Sequence, residues 1–245
     1  MLCKIYSMNY TLIILGVILM VVIYVMYSVI QGQQSKIGTN IVTLSNGTVN
    51  PVVSFSTLAV PTSERYNLSF WVSIQSLSNA TNTLFEITDN VANNKSILRV
   101  QITSDGTLQY TTANSNKTSE TVHTINTNFP LQKWVYVVLS IDSNTEAKLM
   151  DMYIDGKLTR SEKFTVNPII PDKTCSIKFG TITDPNAVIY IAKFERNPVA
   201  MDPATAWSKY MAGNGGNYFS SLFSNYGAAF SITKDNLEVN KMSLF

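Results

Sequence analysis

The stretch NLSFWVSIQ, residues 67–75, decides the fold: Leu68, Phe70, Val72 and Ile74 fall on one side of an extended chain, and Asn67, Ser69, Trp71 and Ser73 on the other. A period of two marks a strand with one face in a core. The same alternation returns at Leu98, Val100 and Ile102, at Val135, Val137, Leu139 and Ile141, and at Met150, Met152 and Ile154. Between these runs, Asp105-Gly106 and Asp155-Gly156 supply the positive φ angles that tight hairpins demand. Asn/Ser/Thr clusters at residues 76–83 and 113–121 read as loops. Short strands at spacings of roughly 8 to 12 residues predict an all-β, two-sheet antiparallel β-sandwich rather than a doubly wound sheet.

Upstream, residues 11–30 read TLIILGVILMVVIYVMYSVI without a charge. That is about the 20 residues a helix needs to cross a ~30 Å hydrocarbon core. Thr11, Leu15, Leu19, Ile23 and Ile30 mark this expected membrane anchor, Tyr10, Tyr24 and Tyr27 suit its interfaces, and the polar QGQQSK of residues 31–36 marks the exit. The apolar run is longer than a signal h-region, and no small-x-small cleavage site follows it. Charge sets orientation weakly, with Lys4 on one side against Lys36 and the distant Arg65 on the other; a short cytoplasmic tail is the simple reading.

Late in the chain, Asp202 suits an N-cap, Pro203 a first helical turn and Gly213 a stop, which predicts one short helix over ATAWSKYMA. The expected organisation is a tail at 1–10, a transmembrane helix at 11–30, a linker and first strand at 31–49, the sandwich with its helix at 50–213, and a Gly/aromatic-rich extension at 214–245. The final SITKDNLEVNKMSLF suits either a strand or an arm that grips a neighbour.

Charged residues make up only 14% of the chain and the net charge is +2 with no basic run, so the footprint for a phosphate backbone is missing and nucleic acid is excluded as a partner. If residues 11–30 span a membrane, Cys3 and Cys175 lie on opposite sides of it, which rules out an internal disulfide and leans toward a reducing compartment for the domain. Cys3, close to the membrane surface, is either a palmitoylation site or an idle thiol.

Three segments, NLSFWVSIQ at 67–75, LQKWVYVVLSID at 131–142 and MDMYIDGKL at 150–158, together resemble a laminin-G-like domain of the concanavalin A-like lectin and glucanase superfamily. In that family a Trp-bearing strand precedes one ending in Tyr-x-Asp-Gly, as Tyr153, Asp155 and Gly156 stand here. A small-residue turn and a strand leading into a short helix come next, as at residues 177–180, at 188–194 and after Asp202. The resemblance covers residues 50–213 and implies a concanavalin A-like jelly roll. The family's Gly-x-Ile-Asp-Asp lead into the last strand is replaced by Asn186, Ala187, Val188, Ile189 and Tyr190, which removes acids that a calcium or sugar site would use. The N-terminal anchor, such a domain, few cysteines and the tail ITKDNLEVNKMSLF also resemble membrane-anchored minor capsid or virion membrane proteins of large icosahedral DNA viruses of algae.

Catalytic constellations are not legible. The Glu-x-Asp-x-x-Glu of the glucanase branch is lacking, and Glu86 and Asp89, which spacing puts on opposite faces of a strand, read as a strand end and a turn. His123 is the sole histidine and no Gly-x-Ser-x-Gly elbow accompanies it, so it reads as a solvated or cross-strand residue. GNGGN at 213–217 lacks the Gly-Lys-Ser/Thr of a phosphate loop. Asp142, Asp151 and Asp155 are weak calcium candidates, since calcium wants six or more oxygens and hairpin aspartates have turn reasons of their own. Sequons stand at Asn46, Asn67, Asn79, Asn94 and Asn116. Trp71, Trp134, Trp207 and Tyr210 suit core packing, whereas Tyr218, Phe219, Phe223 and Phe245 are candidate partner contacts.

The expectation is a non-enzymatic, cofactor-free, single-pass membrane protein of a virion. It would be a minor capsid component linking an internal membrane to the capsid shell, with membrane lipid and capsid or other virion proteins as partners. The alternative is a membrane-anchored lectin-like protein whose partner is a glycan.

Overall fold

A computed structural model of the protein describes residues 10–38, 41–46, 50–58, 60–91, 95–113, 120–144, 146, 148–165, 168–180, 182, 184–213, 229–234 and 237–243. Helix α1 (Tyr10–Ser35) continues beyond Ile30, so residues 31–35 of the expected linker belong to its end, and β1 (Lys36–Gly38) follows directly. Its described side chains, at residues 14–26, are all exposed. Among the described residues no helix is long and apolar enough to cross a membrane.

The strands then run β2 (Val42–Leu44), β3 (Val52–Ser54), β4 (Arg65–Ser76), β5 (Asn82–Asp89), β6 (Lys95–Ile102), β7 (Leu108–Ala113), β8 (Glu120–Asn126), β9 (Trp134–Asp142), β10 (Leu149–Ile154), β11 (Lys157–Lys163), β12 (Cys175–Phe179) and β13 (Val188–Asn197). Helix α2 (Pro203–Met211) follows, then the hairpin of β14 (Ala229–Lys234) and β15 (Leu237–Ser243). One sheet is ordered β1-β13-β4-β9-β10-β11 with β2 also on β13, and the other β3-β12-β5-β6-β7-β8. Every pairing is antiparallel, and the two sheets form the expected sandwich. Because β1 and β2 pair with β13, the sandwich starts ahead of residue 50.

The inward residues of the alternating runs meet between the sheets. Phe70, Phe85, Phe179 and Phe194 form its centre, with Phe85 and Phe194 edge to face at 4.7 Å and Phe70 stacked on Phe194 at 5.6 Å. Each fully buried side chain of this size contributes roughly 1.5–3 kcal/mol over exposure. The turns form as their residues dictate: Gly106 has φ 80°, and Asp155 and Gly156 have φ 49° and 73°.

Two further expectations differ from the structure. Strand β4 is buried on both faces from Tyr66 to Ile74, not one, because a second apolar layer lies over Trp71 on the outer side. Glu86 is in the middle of β5, not at a strand end, where Arg99 of β6 lies opposite and pairs with it at 3.3 Å. Asp89 does close β5, accepting from Val91 N at 3.0 Å.

Candidate functional site

The outer layer is built by α2 and its lead-in. Asp202 caps the helix by accepting from Thr205 N at 2.9 Å, and Pro203 occupies its first turn. Ser140 Oγ on β9 accepts from Met201 N at 2.8 Å, the buried Tyr153 hydroxyl donates to Met201 O at 3.2 Å, and Asn67 Nδ2 donates to Val199 O at 2.8 Å. These bonds fasten residues 199–202 across β4, β9 and β10. The helix then covers Trp71, Tyr136, Val138, Tyr153 and Ala192 with Ala206 and Tyr210. Tyr210 stacks on Trp71 at 5.9 Å.

The Asp155-Gly156 turn is the seat of this helix. Asp155 exchanges backbone and side-chain bonds with Tyr136, its N donating to Tyr136 O at 2.8 Å and its Oδ1 accepting from Tyr136 N at 3.0 Å. A Cβ on Gly156 would stand 3.0 Å from Trp207 Cα and Tyr210 Cβ, so glycine is required by its φ and by the approach of α2. Tyr153, Asp155 and Gly156 therefore play a structural part, which is to hold α2 on the sheet.

Where the end of α2 meets β13, a cleft of about 100 Å³ opens, lined by Ser69, Trp71, Tyr136, Lys193, Glu195, Lys209, Ala212 and Gly213. A bulge in β13 between Ala192 and Glu195, with Lys193 at φ 48°, turns the Lys193 and Glu195 side chains toward the helix end. Lys209 pairs with Glu195, and Lys193 Nζ donates to Gly213 O at 2.8 Å, so both lysines tie helix to strand. The Tyr136 hydroxyl is buried and makes no hydrogen bond of ordinary geometry. Burial pushes its pKa up to about 12, slightly offset by the nearby Ser69 hydroxyl, which keeps it a proton donor.

A second cluster closes the sandwich edge between β8 and β11. Glu162 accepts from the Tyr110 hydroxyl at 2.8 Å, contacts His123 Nδ1 at 2.9 Å and pairs with Arg160. His123 stacks on Tyr110, its cross-strand partner, at 4.6 Å. Arg160 Nη1 donates to Thr124 O at 2.9 Å, which joins the two sheets. His123 is thus a cross-strand residue, with no serine hydroxyl among its described partners.

The three calcium candidates are dispersed. Asp142 ends β9 and pairs with Arg65 at 3.0 Å, Asp151 accepts from Ser161 Oγ at 2.5 Å, and Asp155 bonds Tyr136 at the other end of β9. The length of β9 between Tyr136 and Asp142 keeps Asp142 and Asp155 about 20 Å apart. Among the described residues no group of three or more His, Cys, Asp or Glu side chains is placed to hold a metal ion. Leu15, Leu19 and Ile23 are exposed on α1. Thr11 and Ile30 lie in the same helix, with side chains outside the described set, and Tyr218, Phe219, Phe223 and Phe245 lie outside the described residues. Trp207 is 45% exposed and Trp134 half-buried, so only Trp71 of the three tryptophans is a core residue. Asn67 is buried, Asn46 and Asn79 are exposed, and Asn94 and Asn116 fall outside the described residues.

The cleft was not legible in the sequence. Lys193 and Glu195 look like ordinary outward residues of an alternating strand, and only the bulge and the landing of α2 bring Lys209 to them.

Residues 46–181 match the laminin-G-like family described as the concanavalin A-like lectin/glucanases superfamily. Among solved structures, the binding domain of botulinum neurotoxin serotype G is similar at 16% identity and TM-score 0.52, over 71% of this chain and 45% of that one. The serotype D binding domain is similar at 15% identity and TM-score 0.53, over 74% and 52%. The binding domain of botulinum neurotoxin DC, solved in complex with rat synaptotagmin II, is similar at 18% and TM-score 0.51, over 71% and 46%. The chain spans about half the length of these structures, and the likeness at such identities is one of fold. No curated protein matches the chain.

Proposed function

The chain belongs to the concanavalin A-like lectin/glucanases superfamily, and from that premise we propose that it is a non-enzymatic, membrane-anchored structural protein. As a minor capsid component it links an internal virion membrane to the capsid shell through protein–protein contacts. The observation that carries the reading is α1. From Ile14 to Met26 its side chains are apolar on every side apart from Gly16, and all stand in the open, from Val22 at 47% to Met20 at 72%. A helix apolar all round belongs inside a protein or in lipid. In the sequence the uncharged run of residues 11–30 has about the 20 residues that a ~30 Å hydrocarbon core requires.

The contact side is supported by what the sandwich presents. Its first sheet carries α2 over the centre of its outer face rather than an open aromatic groove. The outer side of its second sheet carries a cross-strand row of Lys178, Glu86 and Arg99, with Glu120 beyond. Alternating charges of this kind favour protein partners of matching pattern. The virion setting is supported by the resemblance of the anchor and the tail at 232–245 to algal-virus proteins. In a lattice, weak individual contacts add up through repetition.

The test is membrane or particle extraction with alkaline carbonate and then detergent, followed by crosslinking mass spectrometry on the full chain. The chain should leave the bilayer only in detergent, and its domain should crosslink reproducibly to a shell protein. Release by carbonate would end the anchor. A domain without a reproducible protein neighbour would end the scaffold role, and binding of the solubilised chain to a glycan array would replace it with the lectin reading.

A further inference from the structure

Resting on the anchor reading above, we propose that the outward side of α2 docks on the bilayer that holds α1, at the boundary between headgroups and acyl chains. The inward side of α2 is Ala206 and Tyr210, packed on the sheet. Its outward side is Ala204, Trp207, Ser208 and Met211, neighbours along one helix face, all exposed and none charged. Trp207 and Met211 keep 45% and 54% of their surface open. Leu158, 51% exposed, extends the patch. It pairs with Tyr153, and directly opposed residues share a face, so it stands on the outer side of the sheet where α2 meets β11. Exposed apolar side chains grouped in this way mark a contact surface.

The position of the patch selects lipid. The end of α1 lies against β13. Lys36, the first residue after the helix, pairs with Glu195, and the Glu195 carboxylate holds Lys209 in the last turn of α2. One strand spacing, ~4.8 Å, and one ion pair therefore separate the exit of the anchor from α2. An anchor that leaves at this edge brings the outer face of the first sheet down to the interface. The second sheet, with its charged outer row, then faces away from the membrane.

The chemistry of the patch agrees. An indole combines an apolar body with a polar N–H, and tryptophan is enriched where headgroups meet hydrocarbon for that reason. Trp207 is supported from below, over Gly156 and with its ring 5.5 Å from that of Tyr210. A ring already fixed in place loses little freedom on insertion. Electrostatics do not oppose the contact either. Helix α2 carries no acid and Asp202 is committed to its cap. Nearby, Glu195 is paired with Lys209, and Asp155 with Lys133 at 3.8 Å.

The test uses the full chain reconstituted into vesicles of phosphatidylcholine and phosphatidylserine whose acyl chains carry bromine just below the headgroups, a quencher of tryptophan fluorescence. Residues 1–36 contain no tryptophan, so quenching reads the domain and not the anchor. Flotation of the vesicles after alkaline carbonate reads the anchor separately. The vesicle-bound chain should be quenched relative to the same chain in unbrominated vesicles. Trp207→Phe, with its near-UV signal from the folded core retained, should lose most of that quenching. Met211→Asp keeps all three tryptophans and places a charge at an exposed position, and it too should lose most of the quenching. Flotation without quenching, or quenching undiminished in both variants, overturns the docking and leaves the anchor standing. If crosslinks to a shell protein then vanish in Met211→Asp, the face belongs to a protein partner instead. Failure to float overturns the docking and the anchor together.

Discussion

Replacing Arg196 tests how this sandwich tolerates an isolated buried charge. The bulge at Lys193 resets the alternation of β13, so Phe194 and Arg196 both turn inward. Arg196 is 3% exposed, its Nη1 and Nη2 donate to Val60 O and Pro61 O at 3.0 Å each, and its Nε has no partner. The guanidinium lies between the Phe55 and Tyr66 rings, 5.1 and 5.2 Å from their centroids. Burial lowers its pKa and raises that of Tyr66. Arg196→Lys keeps the charge but loses the two-pronged geometry, leaving an ammonium with one carbonyl at best. One lost charge-assisted bond and weaker ring contacts against undiminished desolvation cost about 3–5 kcal/mol. Arg196→Met removes the charge and its desolvation together, while exposed Val60 lets the orphaned carbonyls turn to water, and the cost is about 1–2 kcal/mol. Chemical denaturation of the full chain in micelles, followed by near-UV circular dichroism, measures both. Stability of the lysine variant should also rise with pH, because its folded state holds the proton less tightly than the unfolded chain. A lysine variant as stable as the methionine variant, or more so, would refute this account.

Three further expectations rest on single positions. A Cβ on Gly180 would stand 1.7 Å from Thr83 O, and moving aside endangers the bonds of Gly180 N to Leu84 O (3.0 Å) and of Asn50 Nδ2 to Gly180 O (2.6 Å). Gly180→Ala should therefore cost about 2–4 kcal/mol in denaturant melts, and a loss below about 1 kcal/mol would show that the approach is loose. Cys175 is buried and burial pushes its thiol up to about 11; in a Cys3→Ser chain at about pH 8 it should resist iodoacetamide until denaturant is added, and rapid labelling of the folded chain would contradict its placement. Asp202 has a pKa held below the ordinary carboxylate value, chiefly by the Thr205 hydroxyl and backbone N–H. Its cap is thus intact above the unfolded pKa and weakens as pH falls through the folded one. Asp202→Asn should keep α2 capped and flatten the tryptophan near-UV signal as pH falls below the ordinary carboxylate range, whereas an unchanged acid transition would assign it to other groups.

What the sequence made legible was whatever period and turn chemistry encode locally. Leu68 to Ile74, Val135 to Ile141 and the two Asp-Gly turns sit where alternation and positive φ put them, and Asp202, Pro203 and Gly213 bound a real helix. Sheet order and non-local contact were not legible. Nothing in MDMYIDGKL says that Gly156 will lie under Trp207, and nothing in AKFER says that a bulge will send Phe194 and Arg196 inward while Glu195 meets Lys209. Side-chain period is conditional on register, and one extra residue reverses it. The distance between two of the weak calcium candidates was illegible for a related reason: Asp142 and Asp155 are separated by the length of β9, which only strand pairing reveals.

The outer layer also explains how one family pattern can persist while the chemistry of the fold moves. Tyr153 holds the chain before α2, Asp155 locks the turn to β9, and Gly156 makes room for the helix, so this motif serves the placement of α2 whatever the domain binds. Once α2 covers Trp71, Tyr136 and Tyr153, the centre of that sheet has no room for a ligand. Polar groups that remain on this face are pushed to the helix end, where Lys193, Glu195, Lys209 and the unpartnered Tyr136 hydroxyl gather. The surfaces that α2 leaves open are the charged outer side of the second sheet and the exposed edge strand β11 with Lys157, Arg160 and Lys163. A charged edge of this kind discourages pairing with stray strands.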